Sequence, residues 1–323
     1  MVMVVRLSRT GGPEVLEVDH VEQAAPGPNE VWIEHEAIGV NYLDVMQRKG
    51  AAPVPIPGGL GLEAAGRVAS IGPGVSDIST GDRVAYILGG PGSYASGRLY
   101  PAARLVRIPE ALTFDDAAAV LFKGITAQYL LKATCPVGPG TVILLYGVAG
   151  GVGQIMAPWA KHLGATVIGV VSKEASVERA RAAGCDAVLV WGACDLPTEV
   201  ARLTDGKKAH VVYDALGRET FQASLDSLGP RGVMVSFGAS TGAPPPVEIA
   251  TLGKNSLFLT RPSLATHATD IAEYQMRAAD VLSAVASGII KPAVWRTYPL
   301  SDVAAAHAAL EGGTSAGAIL LKP

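Results

Sequence analysis

In its first third the chain alternates apolar and polar positions in short runs broken by glycine and proline. Residues 2–8 (VMVVRLS), 15–21 (VLEVDHV) and 31–40 (VWIEHEAIGV) alternate or are rich in β-branched residues. Residues 66–72 (GRVASIG) and 82–88 (DRVAYIL) repeat the pattern around turns at Gly72-Pro73-Gly74 and Gly81-Asp82. Period-two runs with such punctuation predict strands. One short helix is expected here, around Tyr42 to Lys49, and the segment reads as a compact, partly open β-barrel.

The period changes in the middle third. TVILLY, TVIGVV, AVLV and HVVYDAL are strand-like and are followed by helical stretches, in turn Gln154 to Leu163, Lys173 to Ala183, near Thr198 to Leu203, and Glu219 to Leu228. VMVSFG and SLFLT complete six candidate parallel strands. Buried runs alternating with helices predict an α/β unit with a doubly wound parallel sheet. From about Thr269 the tail holds two helical segments and closes on AILLK, a strand expected to return to the first domain. The α/β unit is therefore read as inserted into the barrel domain.

The strongest chemistry lies at TVILLY-GVAGGVG-QIMAPWAKHLGA. A strand runs into Gly147, Gly150, Gly151 and Gly153, and a helix follows. Glycines let the backbone turn sharply and approach a pyrophosphate, and the helix start offers N–H groups to the anion. The spacing is G-x-x-G-G-x-G rather than G-x-G-x-x-G, so the βαβ context carries the reading of a dinucleotide site; tight packing alone is the competing explanation. An acid closing the second strand would favour NAD through the ribose 2′-OH. Here Ser172 and Lys173 stand there, a hydroxyl and a cation that suit the 2′-phosphate of NADP. An ordinary solvated lysine at a helix start is the bland alternative.

Composition narrows the field. Of 323 residues, 49% are hydrophobic and 17% charged, which excludes a disordered chain. A net charge of −3 with no basic stripe gives no footprint for nucleic acid. Cys135, Cys185 and Cys194 are scattered and form no Cys-x-x-Cys, so neither a zinc lobe nor a dithiol is supported. An odd, low cysteine count without an export signal suits a reducing cytoplasm. The run Thr141 to Ala160 has no charged residue, yet its glycines and Pro158 point to a buried strand, turn and helix rather than a membrane span.

GGPEVL, AIGVNYLDVMQRKG, GLEAAGRVASIG, GDRVAY, FKGITAQYLL, AGGVGQ, VVYDALGRET and VMVSFG together resemble the quinone oxidoreductase (zeta-crystallin-like) branch of the medium-chain dehydrogenase/reductase superfamily. The resemblance runs nearly end to end. It implies a GroES-like β-barrel domain, residues 1–125 and 262–323, with an inserted doubly wound (Rossmann) domain over 126–261. It implies an NADPH-dependent reductase of quinones, dimeric or tetrameric. By motif, Ala149, Gly150, Gly151, Val152 and Gly153 would face the pyrophosphate and Ser172 the 2′-phosphate, with Gly217 closing a turn. Phe237, Gly238, Ala239, Ser240, Thr260, Arg261 and Pro262 would border the nicotinamide half, with Asn41 and Thr126 near the ring. Zinc-dependent relatives hold their metal at the positions of Asn41 and Leu62, which are a poor ligand and no ligand, so no metal is expected. Trp191 stands where the family often has Tyr or His at the adenosine phosphate. Ser176 and Ala52 stand where a Lys and a Tyr are common; Ala52 implies a roomier substrate mouth.

Without a metal, the donors available to a substrate oxygen are modest: the amide of Asn41, the hydroxyls of Tyr42 and Thr126, and Lys123. A solvated role for Lys123, a helix-start role for Asp44 and an internal pairing of Glu63 are the competing explanations. His20 and His35 read as surface or barrel residues. A quinone suits weak donors because its developing charge spreads into a ring gaining aromaticity. The expectation is a homodimeric NADPH:quinone reductase, its sheet extended through SLFLT, with no nucleic-acid or membrane partner. The alternatives are an NADPH-dependent reductase of α,β-unsaturated carbonyls, or a non-catalytic dinucleotide-binding protein with a structural or RNA-binding use.

Overall fold

The computed structural model describes residues 1–313 and 315–323. The first part of the chain gives β1 (Val2–Leu7), β2 (Leu16–Val21), β3 (Glu30–Val40), α1 (Tyr42–Arg48), β4 (Gly58–Gly59), β5 (Glu63–Ile71), β6 (Arg83–Ile87), β7 (Gly97–Pro101), β8 (Val106–Arg107) and α2 (Phe114–Tyr129). Then follow β9 (Val142–Tyr146), α3 (Gly153–His162), β10 (Thr166–Val171), α4 (Val177–Ala182), β11 (Ala187–Val190), α5 (Leu196–Leu203), β12 (Ala209–Asp214), α6 (Phe221–Asp226) and β13 (Leu228–Ser236). The chain closes with α7 (Ile249–Gly253), β14 (Phe258–Thr260), α8 (Leu264–His267), α9 (Ile271–Ala286), β15 (Val294–Pro299), α10 (Val303–Glu311) and β16 (Ala318–Lys322).

These elements fall into two units: residues 1–123, 269–286 and 291–323, and residues 124–268 with 287–290. In the first, β15-β16-β3-β5-β6-β8 form one sheet, with β7 also paired to β3, and β2-β1-β4 form a second. β3 is the spine because it is long and apolar enough to pair antiparallel with β5, β7 and β16. Leu7, Val31, Ile33, Tyr86, Tyr100 and Leu321 pack its core. The second unit is a parallel sheet ordered β11-β10-β9-β12-β13-β14, whose order reverses between β9 and β12. Its central strands are buried, which is why VILLY and TVIGVV read as continuous apolar runs rather than alternating ones. Leu144, Ile168, Val212, Phe221 and Met234 form its core.

The barrel reading of the first third, the six parallel strands and the returning C-terminal strand all appear in the structure. Three local expectations need correction. A 16-residue helix, α2, occupies Phe114–Tyr129, a stretch to which the sequence pattern assigned no element. Its start is a capping box: Thr113 N donates to Asp116 Oδ2 (2.9 Å) and Asp116 N donates to Thr113 Oγ1 (3.0 Å). The helix expected over Glu219 to Leu228 is only α6, because Leu228 already belongs to β13. β15 gave no sequence signal, since an edge strand with few buried side chains carries no strong alternation.

Candidate functional site

In the barrel unit, β3 delivers Asn41 as the extended residue ahead of α1. Asn41 N donates to Asp44 Oδ2 (2.8 Å) and Asp44 N donates to the Asn41 carbonyl (3.0 Å), so the strand end and the helix start are tied together. The Asn41 amide Nδ2 donates to Glu63 Oε1 (2.8 Å), at the start of β5. Lys123 Nζ reaches the same oxygen at 3.2 Å, and Phe122 N donates to Glu63 Oε2 at 3.0 Å. Lys123 and Glu63 are 7% and 1% exposed, so Lys123 is a buried partner of Glu63 and not a solvated lysine. Asn41 is likewise buried, whereas Tyr42 beside it is 38% exposed.

Beneath this cluster Asp44 is fully buried, and burial pushes its carboxyl up to about 7. Its Oδ2 also accepts from Tyr94 O–H (2.8 Å). Tyr94 in turn meets His307 Nε2 (3.0 Å), and His307 Nδ1 meets Arg48 Nη1 (3.3 Å). Arginine can only donate, so His307 accepts at Nδ1, carries its hydrogen at Nε2, and the chain of donors points at Asp44. Arg48 is itself buried and is paired with Glu311 Oε2 (2.8 Å). Burial, with Arg48 adding to it, lowers His307 to about 3. His35 is a buried barrel residue, its Nδ1 on the Ala95 carbonyl (2.7 Å) and Nε2 on Tyr86 O–H (3.0 Å).

In the sheet unit, the segments singled out as cofactor-binding lie past the carboxyl ends of the strands, the side on which open α/β sheets bind ligands. After β9, Gly147 turns at φ 63°, where glycine is the residue without strain. Gly150 N donates to the Gly147 carbonyl (2.8 Å) and Gln154 Nε2 to the Ala149 carbonyl (2.8 Å), which shapes the loop over Ala149, Gly151 and Val152. A Cβ on Gly153 would strike the Gly147 carbonyl and Val148 Cα, so α3 packs against the turn only because residue 153 has no side chain. At the α3 start Gln154 N, Ile155 N and Met156 N donate to the Gly150 and Val152 carbonyls, and the positive helix end behind this glycine-rich loop fits a pyrophosphate.

After β10, Ser172 and Lys173 are exposed. After β11, Trp191 turns its ring edge-on to Tyr146, with centroids 6.0 Å apart, and its N donates to the Val171 carbonyl (2.8 Å). β12 ends at Asp214, which sequence reasoning did not single out. Its buried carboxylate accepts from Leu216 N, Gly217 N, Thr220 Oγ1 and Ser224 Oγ at 2.7–3.1 Å. An acid directly after a buried strand, three residues before a glycine, was the available signal. Gly217, at φ 93°, lies against Ala239 and Gly242, so this turn meets the Phe237–Ser240 loop after β13. Arg261 Nη1, past Thr260 of β14 and before Pro262, donates to the Ser236 and Gly238 carbonyls, each at 3.3 Å. Thr126 is buried on α2 within the sheet unit.

Among the described residues no three His, Cys, Asp or Glu converge as a metal site, and no helix is long and apolar enough to cross a membrane. Leu62 is buried, and the Asn41 amide is turned to Glu63.

Residues 27–110 match the alcohol dehydrogenase GroES-like domain family and residues 151–280 the zinc-binding dehydrogenase family. Quinone oxidoreductase 1 of Escherichia coli is 42% identical over 99% of both chains. The chain belongs to the quinone oxidoreductase branch of the medium-chain dehydrogenase/reductase superfamily. Other members are similar over as much length. A 2-haloacrylate reductase from a Burkholderia species is 41% identical, over 100% of this chain and 99% of its own. The solved Escherichia coli quinone oxidoreductase, a complex with NADPH, superposes with a TM-score of 0.96 at 41% identity, covering 99% of this chain and 100% of that one. The branch explains the GroES-like barrel and the Rossmann sheet described above.

Proposed function

We propose that this chain is a zinc-independent NADPH:quinone oxidoreductase. NADPH supplies a hydride when bound. The sheet unit would hold it through the N–H groups and close backbone of Ala149–Gly153 at the pyrophosphate, with Ser172 and Lys173 at the 2′-phosphate and Trp191 beside the adenosine. The segments Gly217, Phe237–Ser240 and Thr260–Pro262 would border the nicotinamide half. In the barrel unit, the remaining Nδ2–H of Asn41 and the ammonium of Lys123 are donors for the oxygen of the acceptor, with Tyr42 beside Asn41; Thr126, on the part of α2 in the sheet unit, is a further candidate donor. The quinone takes two electrons and one hydrogen as hydride and one proton from solvent, giving the hydroquinone.

The observation that favours a quinone is the pairing of Lys123 with Glu63 at 3.2 Å. A lone buried ammonium would attract a carboxylate; one matched by a carboxylate leaves the donor cluster neutral and suits a neutral acceptor. The specific resemblance to a 2-haloacrylate reductase favours a second reading, reduction of an activated C=C bond. Oxidation of NADPH with a quinone series, an enone, 2-haloacrylate and a secondary alcohol separates the two. Turnover confined to the unsaturated acids or enones moves the assignment to the second reading. Metal analysis should find far less than one zinc per chain; a tightly held equivalent contradicts the metal-free reading. We further propose a homodimer and a cytoplasmic enzyme.

A further inference from the structure

Glu63 lies outside the set of groups proposed to touch the acceptor, yet it binds two of them. Its carboxylate accepts from Asn41 Nδ2 (2.8 Å), Lys123 Nζ (3.2 Å) and Phe122 N (3.0 Å), and it is 1% exposed. The carboxylate also lies over the Cα of Gly39: a Cβ there would overlap it, so β3 has room for Glu63 only because residue 39 is glycine. Burying an ionised carboxylate is costly unless it is paired and hydrogen-bonded, and here both conditions are met. The oxygen and nitrogen of the Asn41 amide differ in what they can face: a carboxylate accepts only, so the NH2 end must turn to Glu63. That spends one Nδ2–H and leaves the other, and it spends one of the three hydrogens on Lys123.

We propose that Glu63 is the positioning residue of this half-site: it sets the direction of the Asn41 amide and pins the Lys123 ammonium beside it. This rests on the reading that Asn41 and Lys123 serve the acceptor. Glu63 need not touch substrate or dinucleotide itself. Its removal acts on the two donors and leaves the dinucleotide segments of the other unit intact.

The test is Glu63→Gln, compared in kcat, KM and the Kd for NADPH from fluorescence titration. The expected result is a kcat lowered ten- to a hundredfold with the Kd for NADPH within twofold of wild type. In an Asn41→Ala background the same substitution should cost less than threefold, because residues that act through one another are not additive. Should Glu63→Gln fold poorly, the doubly neutral Glu63→Gln/Lys123→Met variant removes both buried charges and gives the same comparison against Lys123→Met. Independently of turnover, the Asn41 side-chain NH2 resonances, assigned by their loss in Asn41→Ala, should move in Glu63→Gln. Unmoved resonances, a wild-type kcat, a fully additive loss on Asn41→Ala, or a loss confined to NADPH binding would each overturn the proposal. The kinetics are run with whichever acceptor the enzyme reduces, so failure of the quinone assignment leaves this test standing.

Discussion

At the scale of residues, the chemistry depends on what each donor already holds. Asn41 has one amide hydrogen on Glu63 and one left for an acceptor. Removing a single donor to developing charge costs about 10²–10³ in rate in well-studied cases. Asn41→Ala should therefore lower kcat by roughly ten- to a thousandfold; a fall below threefold would show that the amide is not such a donor. Lys173 is exposed at the end of β10. A charge-assisted contact to a phosphate contributes on the order of 1.5–3 kcal/mol, so NADPH should be preferred to NADH by roughly tenfold or more. Lys173→Glu should erode that preference, and equal binding of the two cofactors by wild type would refute this reading of strand β10. The positions of Asn41, Ser172 and Lys173 at the ends of β3 and β10 were legible because each follows a clear strand pattern. The Glu63 cluster was not, because Gly39, Asn41, Glu63 and Lys123 come together only when β3, β5 and α2 have packed. Nor was the buried state of Lys123, which depends on its partner.

At the scale of elements, periodicity carried most of the fold. The six parallel strands were legible because burial on both faces leaves long apolar runs. α2 escaped although its Thr113–Asp116 capping box is written in the sequence, because Phe114–Tyr129 lies between the period-two runs of the first third and the strand–helix alternation that starts at Thr141. β15 escaped because an edge strand needs few apolar side chains. In the parallel sheet, β14 is an edge strand and leaves Phe258 60% exposed. An apolar edge strand invites pairing, and pairing with its own copy about a two-fold axis would cover it. Light scattering should give a dimer at micromolar protein, and Phe258→Asp should shift it to monomer. A wild-type monomer, or an unaffected dimer in Phe258→Asp, would contradict this edge as the interface.

For the whole molecule, buried titratable groups set how stability follows pH. His35 is lowered to about 4 and His307 to about 3 from 6.5, and Asp44 is raised to about 7 from 3.8, each chiefly by burial. At a pH between about 5 and 6.5, unfolding lets both histidines bind protons while Asp44 releases one. Near pH 5 the unfolded state therefore holds about one more proton from these three groups, and stability falls as pH falls by at most about 1.4 kcal/mol per unit; towards pH 6.5 the unfolded histidines are only half protonated and the slope is shallower. His307→Gln removes one uptake site and should flatten that slope to near zero; Asp44→Asn should roughly double it. Urea titrations at a series of pH values between 5 and 6.5 read these slopes directly. An unchanged slope in both variants would show that these groups do not stay in the stated forms in the folded protein.

On the proposed function, the neutral Asn41–Lys123–Glu63 cluster serves hydride transfer to a neutral quinone. Steady-state kcat/KM for metal-free enzyme with NADPH, measured side by side for a quinone, 2-haloacrylate and a secondary alcohol, tests it most directly. The quinone should give the highest value, and chelator should cause no inhibition. Alcohol oxidation without quinone reduction, or a clear preference for the anionic 2-haloacrylate, would contradict it.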